Sequence, residues 1–116
     1  MPLQCFLSDV ARRYGMTVLG GTVPMRSPKI NKVCNSLLVY GPDGRRLARY
    51  DKIHLFGFQR GDESYDESVA IHPGRTPVVA DVPVDGAAAL RVGLSVCYDL
   101  RFPELYRQMA PLDLMV

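Results

Sequence analysis

The sequence predicts a layered α/β domain, and three observations lead there. Leu3, Phe6, Leu7 and Val10 recur at helical spacing between Pro2 and Tyr14, and Gly15 stops the run. A turn signal, Gly41-Pro42-Asp43-Gly44, lies between two strand-like stretches. A buried-strand pattern from Arg91 then meets Cys97 and runs directly into helical residues. Helix, sheet and helix in that order suit helices layered on sheet.

Each element follows in turn. Pro2 to Tyr14 is the first helix, and Met16 to Val23 the first strand. Met25 to Lys32 contains Pro28 and several polar residues, so it reads as a loop. Val33 to Tyr40 and Arg45 to Tyr50 form a hairpin, because proline at 42 sets φ and glycine at 44 permits a positive one. Gly57 to Gly74 is rich in charge and glycine and reads as one long loop, a kind of segment that is often functional. Val78 to Val82 and Ala88 to Val96 are strands, and Arg101 to Met109 is a helix. Leu112 to Val116 reads as the start of another buried strand. No internal repeat or low-complexity segment is visible.

Composition narrows the function classes. The chain has 116 residues, 47% hydrophobic and 22% charged, enough for one small core. No apolar run approaches the length of about eighteen residues that a membrane helix needs. Met1-Pro-Leu-Gln-Cys5 lacks the basic and apolar regions of a signal peptide. A net charge of +2, with fourteen Lys and Arg spread along the chain, argues against nucleic acid as a partner. Cys5, Cys34 and Cys97 are odd in number and far apart, which suits a reducing cytoplasm better than a disulfide scaffold. No two of the cysteines and histidines are close enough for the ligand pairs of a structural zinc site, so no metal is expected. Pro103 stands where a phosphatase loop would need arginine, and the Gly20-Gly21 pair is too isolated for a phosphate loop.

The chemistry centres on Cys97. A cysteine on a tight strand-to-helix turn is lifted out of the sheet among backbone N–H groups. A helix start favours a thiolate and can hold an oxyanion. The arrangement is built like the serine elbow of α/β-hydrolases with sulfur in place of oxygen. On this segment alone a small buried hydrophobe is an equal reading of Cys97. Lys52, in Arg49-Tyr-Asp-Lys52-Ile-His54-Leu-Phe56, is surrounded by apolar residues. It would support a Cys97 thiolate if the two were close, and would otherwise be an ordinary strand-end lysine. His54 falls on the same strand face as Lys52 and reads as a packed histidine rather than a base. Cys5 and Cys34 read as core cysteines. Arg101 and Glu104 are three apart and would form a local ion pair.

Three stretches together resemble the nitrilase (carbon–nitrogen hydrolase) superfamily: Tyr50-Asp-Lys52-Ile-His-Leu-Phe56, Ser64-Tyr-Asp-Glu67, and Val92-Gly-Leu-Ser-Val-Cys97-Tyr-Asp-Leu-Arg-Phe-Pro-Glu104. The last is most similar to the branch that hydrolyses deaminated glutathione, with ω-amidases next. Linked motifs in order are far more specific than any one alone. The resemblance implies a Glu–Lys–Cys triad with a second glutamate. Cys97 matches the nucleophile, Lys52 the triad lysine and Glu67 the second glutamate. The Tyr98 backbone N–H and Lys52 would hold the oxyanion, and Asp99 and Arg101 would support the site. No cofactor is implied. The implied function is cleavage of a small linear amide through a cysteine thioester with release of ammonia, in an α-β-β-α sandwich that forms a homo-oligomer, a dimer, in the full-length form.

One departure sets a limit. Residues 1–51 contain no glutamate, only Asp9, Asp43 and Asp51. Residues 1–116 are therefore expected to be a partial domain, truncated at both ends and inactive alone. The alternative function is a catalytically dead piece with a structural or oligomerisation role. A cysteine hydrolase of unrelated fold would need His54 as partner to Cys97.

Overall fold

The computed structural model describes residues 2–116. Its first helix, α1 (Pro2–Tyr14), has the expected bounds, and Gly15 closes it with φ +59. Ala11 is its fully buried residue, and Leu7 packs beside it on the first sheet. Cys5 lies on the opposite side of the helix and is exposed, so it is not a core cysteine, whereas Cys34 is buried.

Three strands form the first sheet in the order β1-β2-β3: Val18–Arg26, Val33–Tyr40 and Arg46–Asp51. Both pairs are antiparallel, with Arg26 opposite Val33 and Ser36 opposite Asp51. The Gly44 N–H donates to the Gly41 carbonyl at 2.9 Å and closes the expected turn. Strand β1 runs past Val23 through Pro24, because an edge strand tolerates a residue without an N–H. Strand β2 is central and covered on both faces, so Ser36 through Tyr40 are all buried. Alternation sends Cys34, Leu38 and Tyr40 toward α1, and Leu37 and Val39 toward the second sheet.

The stretch from Gly57 to Gly74 is not one loop. It holds an antiparallel hairpin, β4 (Gly57–Arg60) and β5 (Glu63–Asp66), then a 3₁₀ turn over Glu67–Val69. Every residue of both strands is exposed. With no buried face there is no period-two pattern to read.

The second sheet has the order β6-β7-β8: Val79–Val82, Leu90–Gly93 and Leu114–Met115. Strand β8 pairs parallel with β7 at the sheet edge, and Leu114 and Met115 are exposed rather than buried. Ala80, Val82, Val92, Leu94 and Val96 pack against Leu37, Val39 and Tyr50 of the first sheet. The second helix, α2 (Pro103–Met109), starts two residues later than expected. Proline favours the first helical position and keeps the preceding Phe102 out of helical conformation. Met109 and Leu112 close over Gly93, where a Cβ would meet their side chains. The layers are thus helix, sheet, sheet, helix. Among the described residues no helix is long and apolar enough to cross a membrane.

Candidate active site

Lys52 follows the last residue of β3 and is fully buried. Its N–H donates to the Asn35 carbonyl at 2.9 Å, and its carbonyl accepts from Gly74 at 2.8 Å. A Cβ at Gly74 would strike the Asp51 carbonyl oxygen, so this close approach requires glycine. A buried ammonium needs a paired anion, and the Lys52 Nζ finds one in Glu67, 2.7 Å from Oε2 and 3.0 Å from Oε1. Glu67 is held in turn by its backbone. The Phe56 N–H donates to Oε2 at 2.9 Å, and the Glu67 N–H donates to the Phe56 carbonyl at 3.0 Å. The Asp66 side chain caps the turn by accepting from the Ser68 N–H at 2.9 Å.

Cys97 opens a 3₁₀ turn, Cys97–Arg101, directly after the extended Val96. It is exposed and has φ 50, a left-handed value that costs a non-glycine residue about 1 kcal/mol. It is therefore not a small hydrophobe in the core. The first N–H groups of such a turn, Tyr98 among them, have no acceptor within it. The Tyr98 ring is set edge-on between Phe56 at 5.2 Å and Phe102 at 5.3 Å.

Asp99 joins the two segments. It is fully buried, and its carboxylate accepts four hydrogen bonds. Oδ2 accepts from the Tyr50 hydroxyl at 2.6 Å and the Val96 N–H at 2.9 Å. Oδ1 accepts from the His54 N–H at 3.0 Å and lies 2.8 Å from His54 Nδ1. Burial first, then the bond to Asp99, pushes the Tyr50 phenol far above its usual range, so its hydroxyl stays a donor. The same oxygen accepts from the Ile53 N–H at 3.2 Å. The His54 ring stacks on Phe102 at 3.7 Å with 9° between planes. His54 is thus a packed histidine whose Nδ1 is committed to Asp99.

The structure pairs Lys52 with Glu67 and ties the Lys52 segment to the Cys97 turn through Asp99. Arg101 does not join them. It closes the 3₁₀ turn instead of starting the helix, is exposed, and among the described residues forms no ion pair with Glu104. Tyr50 was visible only as part of a motif. Its signal was the alternation Tyr50-x-Lys52-x-His54, three functional groups two residues apart.

A family model for carbon–nitrogen hydrolases matches residues 1–114. The chain belongs to that family. A deaminated glutathione amidase of Yersinia enterocolitica is 41% identical over 113 residues, covering 93% of this chain and 37% of the relative. An omega-amidase of Homo sapiens is 40% identical over 100 residues, with 85% and 34% covered. The crystal structure of Nit3 of Saccharomyces cerevisiae, from the nitrilase superfamily, superposes with a TM-score of 0.74 at 30% identity, covering 94% of this chain and 35% of that one. A mutant of the amidase from Nesterenkonia, with acrylamide added at its active-site cysteine, gives 0.68 at 27% identity and 90% and 36% coverage. The carbon–nitrogen hydrolase chain described here spans about a third of the length of these relatives.

Proposed function

We propose that this carbon–nitrogen hydrolase segment carries the nucleophile of an amidase acting on a small linear amide that bears a carboxylate, of the deaminated-glutathione or 2-oxoglutaramate kind. The observation that carries the reading is the fully buried Lys52, clamped by Glu67 and tied through Asp99 to an exposed cysteine on a left-handed turn. The cysteine adduct in the Nesterenkonia amidase and the activities of the Yersinia and human relatives support it.

In the proposed reaction the Cys97 thiolate attacks the amide carbon and the C–S bond forms. The Lys52 ammonium and the Tyr98 N–H hold the oxyanion, each good donor being worth about 3–4 kcal/mol. Glu67 keeps the Lys52 ammonium aimed at that oxygen. The C–N bond breaks, and its nitrogen leaves as ammonia after taking a proton from the general acid. Water deprotonated by the same group then adds to the thioester, the C–S bond breaks, and the carboxylate product and free thiol remain. That acid–base group is the family's first glutamate, which residues 1–51 do not contain. Residues 1–116 alone are accordingly proposed to be slower by about a thousandfold or more, since catalytic groups that act as a unit fail together.

The alternative reading is a non-catalytic piece with a structural or oligomerisation role. Ammonia release from deaminated glutathione and from 2-oxoglutaramate separates the two. The segment is joined to the remainder of a carbon–nitrogen hydrolase domain and compared as wild type and Cys97→Ala. Release lost in Cys97→Ala supports the enzyme. Equal release in both rules out Cys97 as nucleophile, and no release from either favours the structural role.

A further inference from the structure

We propose that Tyr50, His54 and Asp99 form a clasp that fixes the Cys97 turn against the Lys52 segment, making them positioning residues for the nucleophile. The inference rests on the reading of Cys97 as nucleophile. Its ground is how the bonds are distributed. Tyr50 and His54 stand two residues before and two residues after Lys52, and Val96 and Asp99 bracket Cys97. Each Asp99 oxygen receives a donor from the Lys52 side: Tyr50 at 2.6 Å on Oδ2, and the His54 ring and backbone at 2.8 and 3.0 Å on Oδ1. Oδ2 also takes the Val96 N–H from the Cys97 side, at 2.9 Å.

The carboxylate is fully buried and has no lysine or arginine partner among the described residues. Each of its oxygens accepts two hydrogen bonds, and removing a donor weakens the compensation of a buried acceptor. The bond to Asp99 Oδ1 makes Nδ1 a proton-bearing nitrogen of His54, and stacking on Phe102 fixes the ring plane. Phe102 is also the residue from which α2 starts, so the clasp grips both ends of the turn. Strained backbone persists only where its surroundings over-determine it. The φ of 50 at Cys97 lies inside this grip.

The chain's own three cysteines provide the test. Cys5 is exposed on α1, Cys34 is buried, and Cys97 is exposed in the site. Iodoacetamide labelling followed by peptide mass spectrometry gives the Cys97/Cys5 rate ratio, while Cys34 labelling reports unfolding. In the wild type the ratio is expected to exceed one with Cys34 protected. His54→Leu should lower it by about tenfold, the scale of one hydrogen bond to a charged group. His54→Asn, whose amide nitrogen takes the place of Nδ1, should recover most of the loss. Tyr50→Phe should lower the ratio as well. If His54→Leu labels Cys34, Tyr50→Phe decides, since it removes only a hydroxyl. A ratio unmoved in the folded variants overturns the clasp and leaves the nucleophile standing. So does His54→Asn behaving like His54→Leu, which would make the role one of packing. A wild-type ratio at or below one sinks the nucleophile and the clasp together.

Discussion

Replacing Glu67 by Gln should unfold this domain more readily than removing the lysine it serves. The Lys52 side chain is 0% exposed and the Glu67 side chain 14%, with Nζ 2.7 Å from Oε2. At that separation and an effective dielectric of about 20, the charges attract by roughly 6 kcal/mol, from which desolvation must be subtracted. Removing one partner of a buried pair costs about 3–5 kcal/mol, because the other charge is left uncompensated. Water reaches Glu67, so the low end, about 3 kcal/mol, applies to Glu67→Gln. At about 4 °C per kcal/mol for a chain of this size, the midpoint should fall by roughly 12 °C. Lys52→Met behaves differently. It deletes the buried ammonium and leaves Glu67 with solvent and the Phe56 N–H, for a loss of about 1 kcal/mol or less. The double variant should match Lys52→Met alone, giving a coupling of about 3 kcal/mol in the double-mutant cycle. Thermal and guanidinium unfolding followed by circular dichroism measure all four proteins. Glu67→Gln within about 1 kcal/mol of wild type, or Lys52→Met as the worse variant, would refute the argument.

Three further outcomes follow. Gly74→Ala forces a methyl onto the Asp51 carbonyl and breaks the Gly74 bond to Lys52, so it should cost about 3 kcal/mol in chemical denaturation; a loss below about 1 would contradict the close approach. Cys97→Gly should be more stable than Cys97→Ala by about 1 kcal/mol, because only glycine occupies φ 50 without strain; equal midpoints would deny it. Burial alone would raise the Asp51 carboxyl, but hydrogen bonds from Arg49 and Ser36 and the Arg49 charge outweigh it and hold it below 3.8. A carboxyl depressed on folding stabilises above its unfolded value, and that contribution is lost as pH falls through the folded one. Arg49→Gln should therefore flatten the loss of midpoint below about pH 4, and unchanged acid limbs in both proteins would count against it.

The parts of the fold legible in the sequence are those with one buried face or a stereochemically demanding turn. Helix α1 and the β2–β3 hairpin are of this kind, the latter through Pro42 and Gly44. The β4–β5 hairpin escaped because Gly57–Arg60 and Glu63–Asp66 expose every residue, leaving only backbone pairing to define it. The start of α2 was misplaced because Leu100 and Arg101 continue a helical look, while Pro103 sets the first turn. In the site, residue types and local pattern marked Cys97 and Lys52, and the family resemblance added Glu67. Spacing in sequence carries no distance between chain segments, so it did not reveal that Asp99 bonds to Tyr50 and His54, 49 and 45 positions away. Arg101 was named as a site support through the family resemblance; it is exposed and forms no ion pair among the described residues.

Lys52 leaves the end of β3, and Cys97 lies just beyond β7, in different sheets. The two sheets meet through side chains such as Val39, Val82 and Leu94. The candidate site is therefore a gauge of alignment between two plates held together by side-chain packing and the Asp99 hydrogen bonds, with no backbone ladder between them. A displacement of about 1 Å of a reacting group can cost a hundredfold in rate. Such a slip breaks no backbone ladder, so a core substitution at Val39 or Val82 would blunt Cys97 while circular dichroism still reported an intact protein.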